Sequence, residues 1–180
     1  MTGTYDHTAA VEAEGIRRAE DLFRFVGATW IWREDVEFQT TRGDALIVRR
    51  GREMSLEVKT EAEDQYGRFF LEEWSNLSFN HHHKAGWMRT LNTDRLLYQF
   101  LDTGQMFLLD FWRLFRWAYE PLPNEVLHRI ERYPLRPQKR HSQRNATWGR
   151  CVPFADIFAG PGFVGVFRWG PHGIRQETWT

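Results

Sequence analysis

The sequence has little cysteine, little lysine and no long apolar run. Its single cysteine, Cys151, cannot form an internal disulfide, which favours a reducing compartment. The longest apolar stretches, such as residues 106–109, are far shorter than the roughly 20 residues of a membrane helix. The first residues lack the basic and apolar regions of a signal peptide. We therefore expect a cytoplasmic protein with no membrane partner.

Several common catalytic motifs are also absent. The sequence contains no Gly-x-Ser-x-Gly elbow, which argues against a serine hydrolase of that class. It contains no Gly-x-Gly-x-x-Gly or Walker loop, which argues against chemistry driven by a nucleotide. Three consecutive histidines, residues 81–83, do not by themselves form a tetrahedral zinc site, and we interpret them as a solvated loop.

What is present is a globular composition with an uneven charge. The chain has 180 residues, of which 42% are hydrophobic and 27% charged, and its net charge is zero. Residues 53–73 carry seven acids and two bases, whereas residues 129–150 carry seven bases and one acid. An acidic cluster beside a basic segment is typical of a metal-dependent enzyme that acts on a polyanion. A plain solvated surface is the alternative interpretation of the basic segment.

Hydrophobic periodicity predicts an α/β or α+β domain around one central sheet. We expect a single domain over residues 1–180, with a basic C-terminal extension from about residue 121. Gly51 and its neighbours should join strands 44–48 and 54–59 into a hairpin. The other expected strands are 30–38, 68–74 and 105–110, with short pieces at 152–154 and 162–168, and the expected helices are 10–26, 92–101, 111–119 and 124–133.

The strongest local signal for chemistry is Asp44 together with Glu57 and Lys59. Side chains alternate along a strand, so Glu57 and Lys59 point to the same face, and Asp44 on the adjoining strand can meet Glu57. Two nearby carboxylates repel each other unless a cation lies between them, and hard oxygen ligands suit Mg²⁺ or Mn²⁺. Lys59 would then stabilise charge on a phosphate oxygen. The alternative is an exposed Glu–Lys pair of little consequence.

Asp44, a spacer of 12 residues and Glu57-Val58-Lys59 resemble the core motif of the PD-(D/E)XK nuclease superfamily. Gly43 stands where a proline usually precedes the first acid. The stretch from Lys59 to Asn76 resembles phage-type members, in which a further acid-bearing strand follows the Glu-x-Lys strand. The resemblance covers about residues 13–117 and implies a restriction-endonuclease-like fold with a central mixed sheet flanked by helices.

The resemblance also implies roles for individual residues. Asp44 and Glu57 would be metal ligands together with the backbone carbonyl of Val58, and Lys59 would be the catalytic lysine. Many members add a glutamate from the first helix, and Glu20 matches that placement, although an ordinary solvated glutamate is an equal alternative. Of the pair Glu72 and Glu73 we favour Glu72 as an accessory acid. Thr60 is a candidate phosphate contact or a plain strand-end threonine.

These observations lead to one main hypothesis and two alternatives. The main hypothesis is an Mg²⁺- or Mn²⁺-dependent endonuclease that cuts DNA and forms a possible homodimer. DNA would be held by counterion release at the basic residues of the C-terminal extension, namely Arg132, Arg136, Lys139, Arg140 and Arg144. The alternatives are a catalytically silent DNA-binding or assembly module on the same fold, and a structural phage protein whose aromatic surface binds partners.

Overall fold

The computed structural model describes residues 3–64, 67–76, 84–122, 127–138 and 147–179. The three histidines at 81–83 and the predicted DNA contacts Lys139, Arg140 and Arg144 lie outside these residues. The helices and strands in chain order are α1 (Gly3–Phe25), β1 (Thr29–Trp32), α2 (Val36–Thr41), β2 (Ala45–Arg49), β3 (Arg52–Glu61), β4 (Arg68–Asn76), β5 (Lys84–Ala85), α3 (Trp87–Thr90), β6 (Arg95–Phe100), β7 (Gln105–Asp110), α4 (Phe111–Tyr119), a 3₁₀ helix (Arg129–Arg132), β8 (Leu135–Pro137), β9 (Trp148–Pro153), α5 (Phe154–Ala159), β10 (Gly165–Gly170) and β11 (Gly173–Glu177).

The chain divides into two compact units. The first unit consists of Met1–Gln65, Asn92–Trp112 and Gly162–Thr180, and the second consists of Tyr66–Leu91 and Arg113–Pro161. The last two strands, β10 and β11, belong to the first unit. The predicted α+β class with a mixed sheet is confirmed, and a second, smaller sheet was not predicted.

The first unit is an α+β structure built on a mixed seven-stranded sheet with the order β1-β2-β3-β6-β7-β10-β11. Strands β3 and β6 are parallel, and the other neighbouring pairs are antiparallel. Parallel strands need a long crossover connection. Here the chain that connects β3 to β6 forms part of the second unit.

Helix α1 covers one face of this sheet, as its apolar periodicity predicts. Ala19, Leu22 and Phe23 are at most 1% exposed. They form one core cluster with sheet residues contributed by five strands: Ile47, Leu56, Leu97, Met106 and Phe167. The helix can approach strand β3 closely because it carries Gly15, where a Cβ atom would lie 2.1 Å from Thr60 Oγ1. The amide nitrogen of Gln99 donates hydrogen bonds to both Gly15 O and Thr60 Oγ1, at 2.8 and 3.0 Å.

The predicted hairpin of β2 and β3 is confirmed. Its register pairs Arg49 with Arg52, which leaves Arg50 and Gly51 as a two-residue loop. Both loop residues have positive φ angles, 51° and 75°. Two positive φ angles are characteristic of the tight turn that matches the twist of antiparallel strands. The turn thereby fixes which residues of β2 and β3 face each other.

Two predictions of secondary structure were wrong. Residues 92–101 were expected to form a helix, but they contain the central strand β6, in which Leu96 to Phe100 are all buried. A strand buried on both faces reads as a continuous apolar run, which mimics helical spacing over a short length. The strand expected at 30–38 ends at Trp32, because Asp35 caps helix α2 by accepting a hydrogen bond from Phe38 N at 2.9 Å.

The second unit is built on a four-stranded sheet with the order β5-β4-β9-β8. Strand β4, predicted at 68–74, pairs with β5 and β9. Helix α4 was predicted at its observed position, whereas α5 was not predicted. In the expected helix 124–133, the described residues form only the short 3₁₀ helix Arg129–Arg132. Among the described residues, no helix has both the length and the apolar character needed to span a membrane.

The close packing of α1 on β3 predicts that Gly15→Ala destabilises the protein. Alanine favours a helix by about 1 kcal/mol over glycine, but its methyl group would overlap Thr60. Overpacking of this kind costs roughly 1–3 kcal/mol. Urea unfolding should therefore show a net loss of stability for Gly15→Ala. The matched control is Gly170→Ala, where a Cβ atom would meet nothing within 4 Å; an equal effect in both variants would contradict the expected contact.

Candidate active site

Asp44 lies at the end of the β2–β3 ladder, next to the segment of β3 that carries Glu57. The last ladder pair on this side is Ala45 with Leu56, and Asp44 directly precedes Ala45. Asp44 is hydrogen-bonded to β3 at Leu56 and at Val58, the residues on either side of Glu57. The acid before one strand is therefore held against the next strand at the two neighbours of the second acid.

Gly43 sets the backbone that delivers Asp44. Its φ angle is +104°, and a Cβ atom there would lie 2.6 Å from the carbonyl oxygen of Leu56. Proline, which is usual at this position in the superfamily that the sequence resembles, has φ fixed near about −65° and cannot adopt this conformation. The close approach lets Asp44 N donate to Leu56 O at 2.8 Å. Glycine is therefore a structural requirement of this version of the motif.

The Asp44 carboxylate is held against the backbone of β3. Its Oδ2 accepts a hydrogen bond from Val58 N at 2.8 Å. Burial raises the pKa of Asp44 above its ordinary value; the Val58 hydrogen bond and the charge of Lys59 oppose this shift, and the charge of Glu12 adds to it. The N–H and C=O of one strand residue point to the same side, so the carbonyl of Val58 points toward the side on which Asp44 lies.

Glu57 and Lys59 lie on the same face of β3 and form a direct ion pair between Glu57 Oε1 and Lys59 Nζ. Glu57 is only 4% exposed, whereas the Lys59 side chain is 32% exposed. Leu56 and Val58 point to the opposite face, where they contact the core under helix α1. Lys59 therefore contacts Glu57 directly, and its positive charge also lowers the pKa of Asp44.

The donor set fits a hard divalent cation. Two carboxylates and one ammonium leave the centre with an excess negative charge, and burial already disfavours the charged form of Asp44. In the described part of the chain, no group of three or more His, Cys, Asp or Glu side chains is arranged to hold a metal. Mg²⁺ does not require such a group, because it commonly binds through one or two carboxylates plus waters and substrate phosphates. Asp44, Glu57 and the Val58 carbonyl are the groups that would hold it.

Glu12, which the sequence reasoning did not single out, is the glutamate of α1 whose charge contributes to the raised pKa of Asp44. Glu12 is exposed and raises the pKa of Asp44 through its charge. It lies three residues before Gly15, the contact point with β3, and therefore on the same side of the helix. The predicted residue, Glu20, follows Gly15 by five residues, is 49% exposed and pairs with Arg24 at 2.9 Å. The signal that would have identified Glu12 is its spacing from that glycine.

Two further candidates are engaged elsewhere. The Thr60 hydroxyl, a predicted phosphate contact, lies on the face covered by α1 and accepts the hydrogen bond from Gln99. Glu72 belongs to the second unit, where it accepts a hydrogen bond from Ser75 Oγ at 2.6 Å. Its neighbour Glu73 is 2% exposed and pairs with Arg150 and Arg89 at 2.7 and 3.2 Å.

The two units carry opposite net charges. The first has 18 acids and 12 bases, a charge of −6, and the second has 6 acids and 12 bases, a charge of +6. Arg132 and Arg136, two of the predicted DNA contacts, are exposed in the second unit. The zero net charge of the chain thus hides an acidic unit with the carboxylate centre and a basic unit suited to a polyanion.

The raised pKa of Asp44 predicts that Asp44→Asn stabilises the metal-free protein at neutral pH. Because the folded state binds the Asp44 proton more tightly than the unfolded chain does, the ionised carboxylate lowers the free energy of unfolding. This cost is absent below the unfolded pKa of about 4 and grows as the pH rises through the folded value. Asparagine is neutral throughout, and its carbonyl can still accept from Val58 N.

Urea unfolding in EDTA at several pH values measures this difference. Asp44→Asn should exceed the wild type in unfolding free energy at pH near 7, and its advantage should vanish at a pH of about 3. A difference that does not vary with pH would contradict the assigned pKa shift.

The effect of the Glu12 charge on Asp44 predicts that Glu12 strengthens cation binding at this centre. A ligand that binds only the folded state raises the melting temperature. Mg²⁺ or Mn²⁺ should therefore raise the Tm of the wild type, Glu12→Gln should reduce that rise, and Asp44→Asn should remove it. Glu20→Gln is the matched control on the same helix and should behave as the wild type. Equal losses for Glu12→Gln and Glu20→Gln would refute the role of Glu12.

Comparison with known proteins identifies no relative of this chain. No protein-family model matches it, and neither a curated protein nor a solved structure does so. The functional argument therefore depends on the centre formed by Asp44, Glu57 and Lys59 and on the charges of the two units.

Proposed function

We propose that this protein is a metal-dependent nuclease that hydrolyses phosphodiester bonds in DNA. The observation that carries the proposal is the contact of Lys59 with Glu57 beside the buried carboxylate of Asp44. An ammonium paired with one carboxylate, whose charge also acts on a second, combines groups that bind a hard cation with a group that stabilises anionic oxygens. The restriction-endonuclease-like fold is part of this proposal. The parallel pair β3–β6, with α1 packed on one face of the sheet, supports it.

The groups of the centre have separate tasks in this proposal. Asp44, Glu57 and the Val58 carbonyl hold the cation, which when bound acidifies water and neutralises charge on the phosphate. Val58 N holds the Asp44 carboxylate in place. Glu57 keeps the Lys59 ammonium at the centre through their ion pair. Lys59 donates hydrogen bonds to the attacking water or to the phosphate oxygen on which negative charge increases during attack.

The substrate class follows from charge. A centre in an acidic unit repels a polyanion, so binding needs an opposite charge elsewhere on the chain. The second unit supplies a net charge of +6, with Arg132 and Arg136 exposed. Contacts between arginines and phosphates give salt-dependent affinity through counterion release. The division of charge therefore supports a nucleic-acid substrate over a small neutral one.

One observation favours the second candidate, a catalytically silent DNA-binding or assembly module. Within the described ranges, the carboxylate centre lacks a third His, Cys, Asp or Glu arranged as a ligand. The basic unit alone would suffice for binding DNA. The two candidates differ in whether Mg²⁺ or Mn²⁺ has any effect on the protein and in whether DNA is cut.

The nuclease proposal predicts that Lys59→Ala abolishes cleavage but leaves DNA binding largely intact. Removing one group that stabilises transition-state charge lowers turnover on the order of a hundred- to a thousand-fold. Cleavage of duplex, junction and single-stranded DNA is measured with Mg²⁺ and with Mn²⁺, and binding is measured in parallel. The control is Lys84→Ala, another lysine, which is exposed on strand β5 and should retain activity. If the wild type cuts none of these substrates with either metal, the proposal fails.

A further inference from the structure

The second unit has an open recess beside helix α4 whose walls combine arginine and aromatic side chains. Arg113, Arg116, Phe115, Trp117 and Tyr119 line it from the helix, and Gly160 lines it from the end of α5. Its volume is about 640 Å³. Sites for small molecules and cofactors are commonly clefts of roughly 300–1,000 Å³ lined by apolar and aromatic groups with a few polar ones. The recess is thus of a size and chemistry that suits an aromatic anion.

The sequence of α4 places these side chains at the surface. Phe111, Leu114 and Ala118 are completely buried and recur at the spacing of one helix face. Among the positions between them, Arg113 and Arg116 are exposed and Trp117 is half-buried. The inner face of α4 therefore anchors the helix, while its outer face presents two cations beside an indole ring.

The indole of Trp117 is held in a fixed position. A Cβ atom at residue 160 would lie 2.1 Å from Trp117 Nε1, so Gly160 is what lets the indole edge approach the end of α5. The guanidinium of Arg129 lies 5.8 Å from the centre of the Trp117 ring, and the Tyr133 ring lies 6.4 Å away. A ring held by its neighbours loses little freedom when a ligand stacks on it.

The charge of the unit favours an anionic ligand. Arg113 and Arg116 belong to the unit with a net charge of +6. Glu120, the acid at the edge of the recess, pairs with Arg129 at 2.9 Å, which reduces its repulsion of an anion. Arginine is the side chain best suited to both phosphate binding and stacking on planar groups.

We propose that this recess, defined here as the α4 recess, binds an unpaired nucleobase of a single-stranded DNA or RNA segment. The base stacks on Trp117, and Arg113 and Arg116 contact the phosphates on either side of it. Stacking on an aromatic ring requires a base that is out of a duplex, because paired bases hide their faces in the stack. The inference rests on the proposed nucleic-acid substrate, but it does not depend on cleavage.

Fluorescence anisotropy in EDTA tests the stacking contact. The probes are a labelled oligo(dT), an oligo(U), an abasic strand of equal length and a duplex. Trp117→Ala should weaken binding of oligo(dT), and of oligo(U) if RNA is also bound, by roughly tenfold, as expected when one base–aromatic stack is lost. It should leave the abasic strand and the duplex unaffected. Trp112→Ala is the matched control, because Trp112 is 41% exposed on the same helix but outside the recess.

The salt dependence of binding tests the phosphate contacts. Each phosphate contact on a single strand contributes about 0.7 to the slope of log affinity against log salt. The double variant Arg113→Ala/Arg116→Ala should therefore reduce that slope by about 1.4, whereas Trp117→Ala leaves it unchanged. Arg24→Ala removes the same type of charge from the acidic unit and should leave the slope unchanged.

Two Trp117 variants of similar size distinguish loss of stacking from loss of folding. Trp117→Phe keeps an aromatic face, and Trp117→Leu does not, so only the second should lose affinity for oligo(dT). Equal binding by these two variants, or an equal loss on the abasic strand, overturns the inference. Binding is measured in EDTA and is therefore independent of cleavage. A protein that binds oligo(dT) through Trp117 but cuts no DNA with Mg²⁺ or Mn²⁺ would refute the nuclease proposal and leave this inference standing.

Discussion

The hydrogen bond from Val58 N to the Asp44 carboxylate is the constraint on which the candidate site depends. It fixes a carboxylate that precedes one strand onto the backbone of the next, directly beside the residues that carry Glu57 and Lys59. The bond is possible because the hairpin turn sets the register and Gly43 lets the backbone pass against Leu56. Geometry at this centre thus comes from main-chain pairing, which is rigid, and not from long flexible side chains.

The same arrangement has an electrostatic cost that suits a binding site. Burial raises the pKa of Asp44, and the only lysine on β3 partly offsets that shift. Perturbed carboxyl groups of this kind occur more often at functional sites than elsewhere, because a structure gains nothing from them unless a ligand compensates. Glu73 illustrates a different arrangement, since it is buried in the second unit with ion pairs to two arginines.

The two units also differ in net charge. The acidic unit contains the carboxylate centre, and the basic unit contains the exposed arginines and the α4 recess. Each unit has its own sheet. In the proposed function, the first unit would hold the cation and the second would hold the polyanion. The proposal thereby accounts for a strongly charged ligand on a chain with zero net charge.

The sequence alone determined the β2–β3 hairpin, helices α1 and α4, and the placement of Glu57 and Lys59 on one face of β3, because these depend on turns, periodicity and short-range register. Only the tertiary structure decided that β6 is a central strand, that β4 belongs to a second sheet, and that the charge of Glu12 acts on Asp44. Those features depend on which distant segments pack together. The burial of β6 on both faces and the contact of Gly15 with Thr60 are long-range interactions of this kind, and no local sequence pattern encodes them.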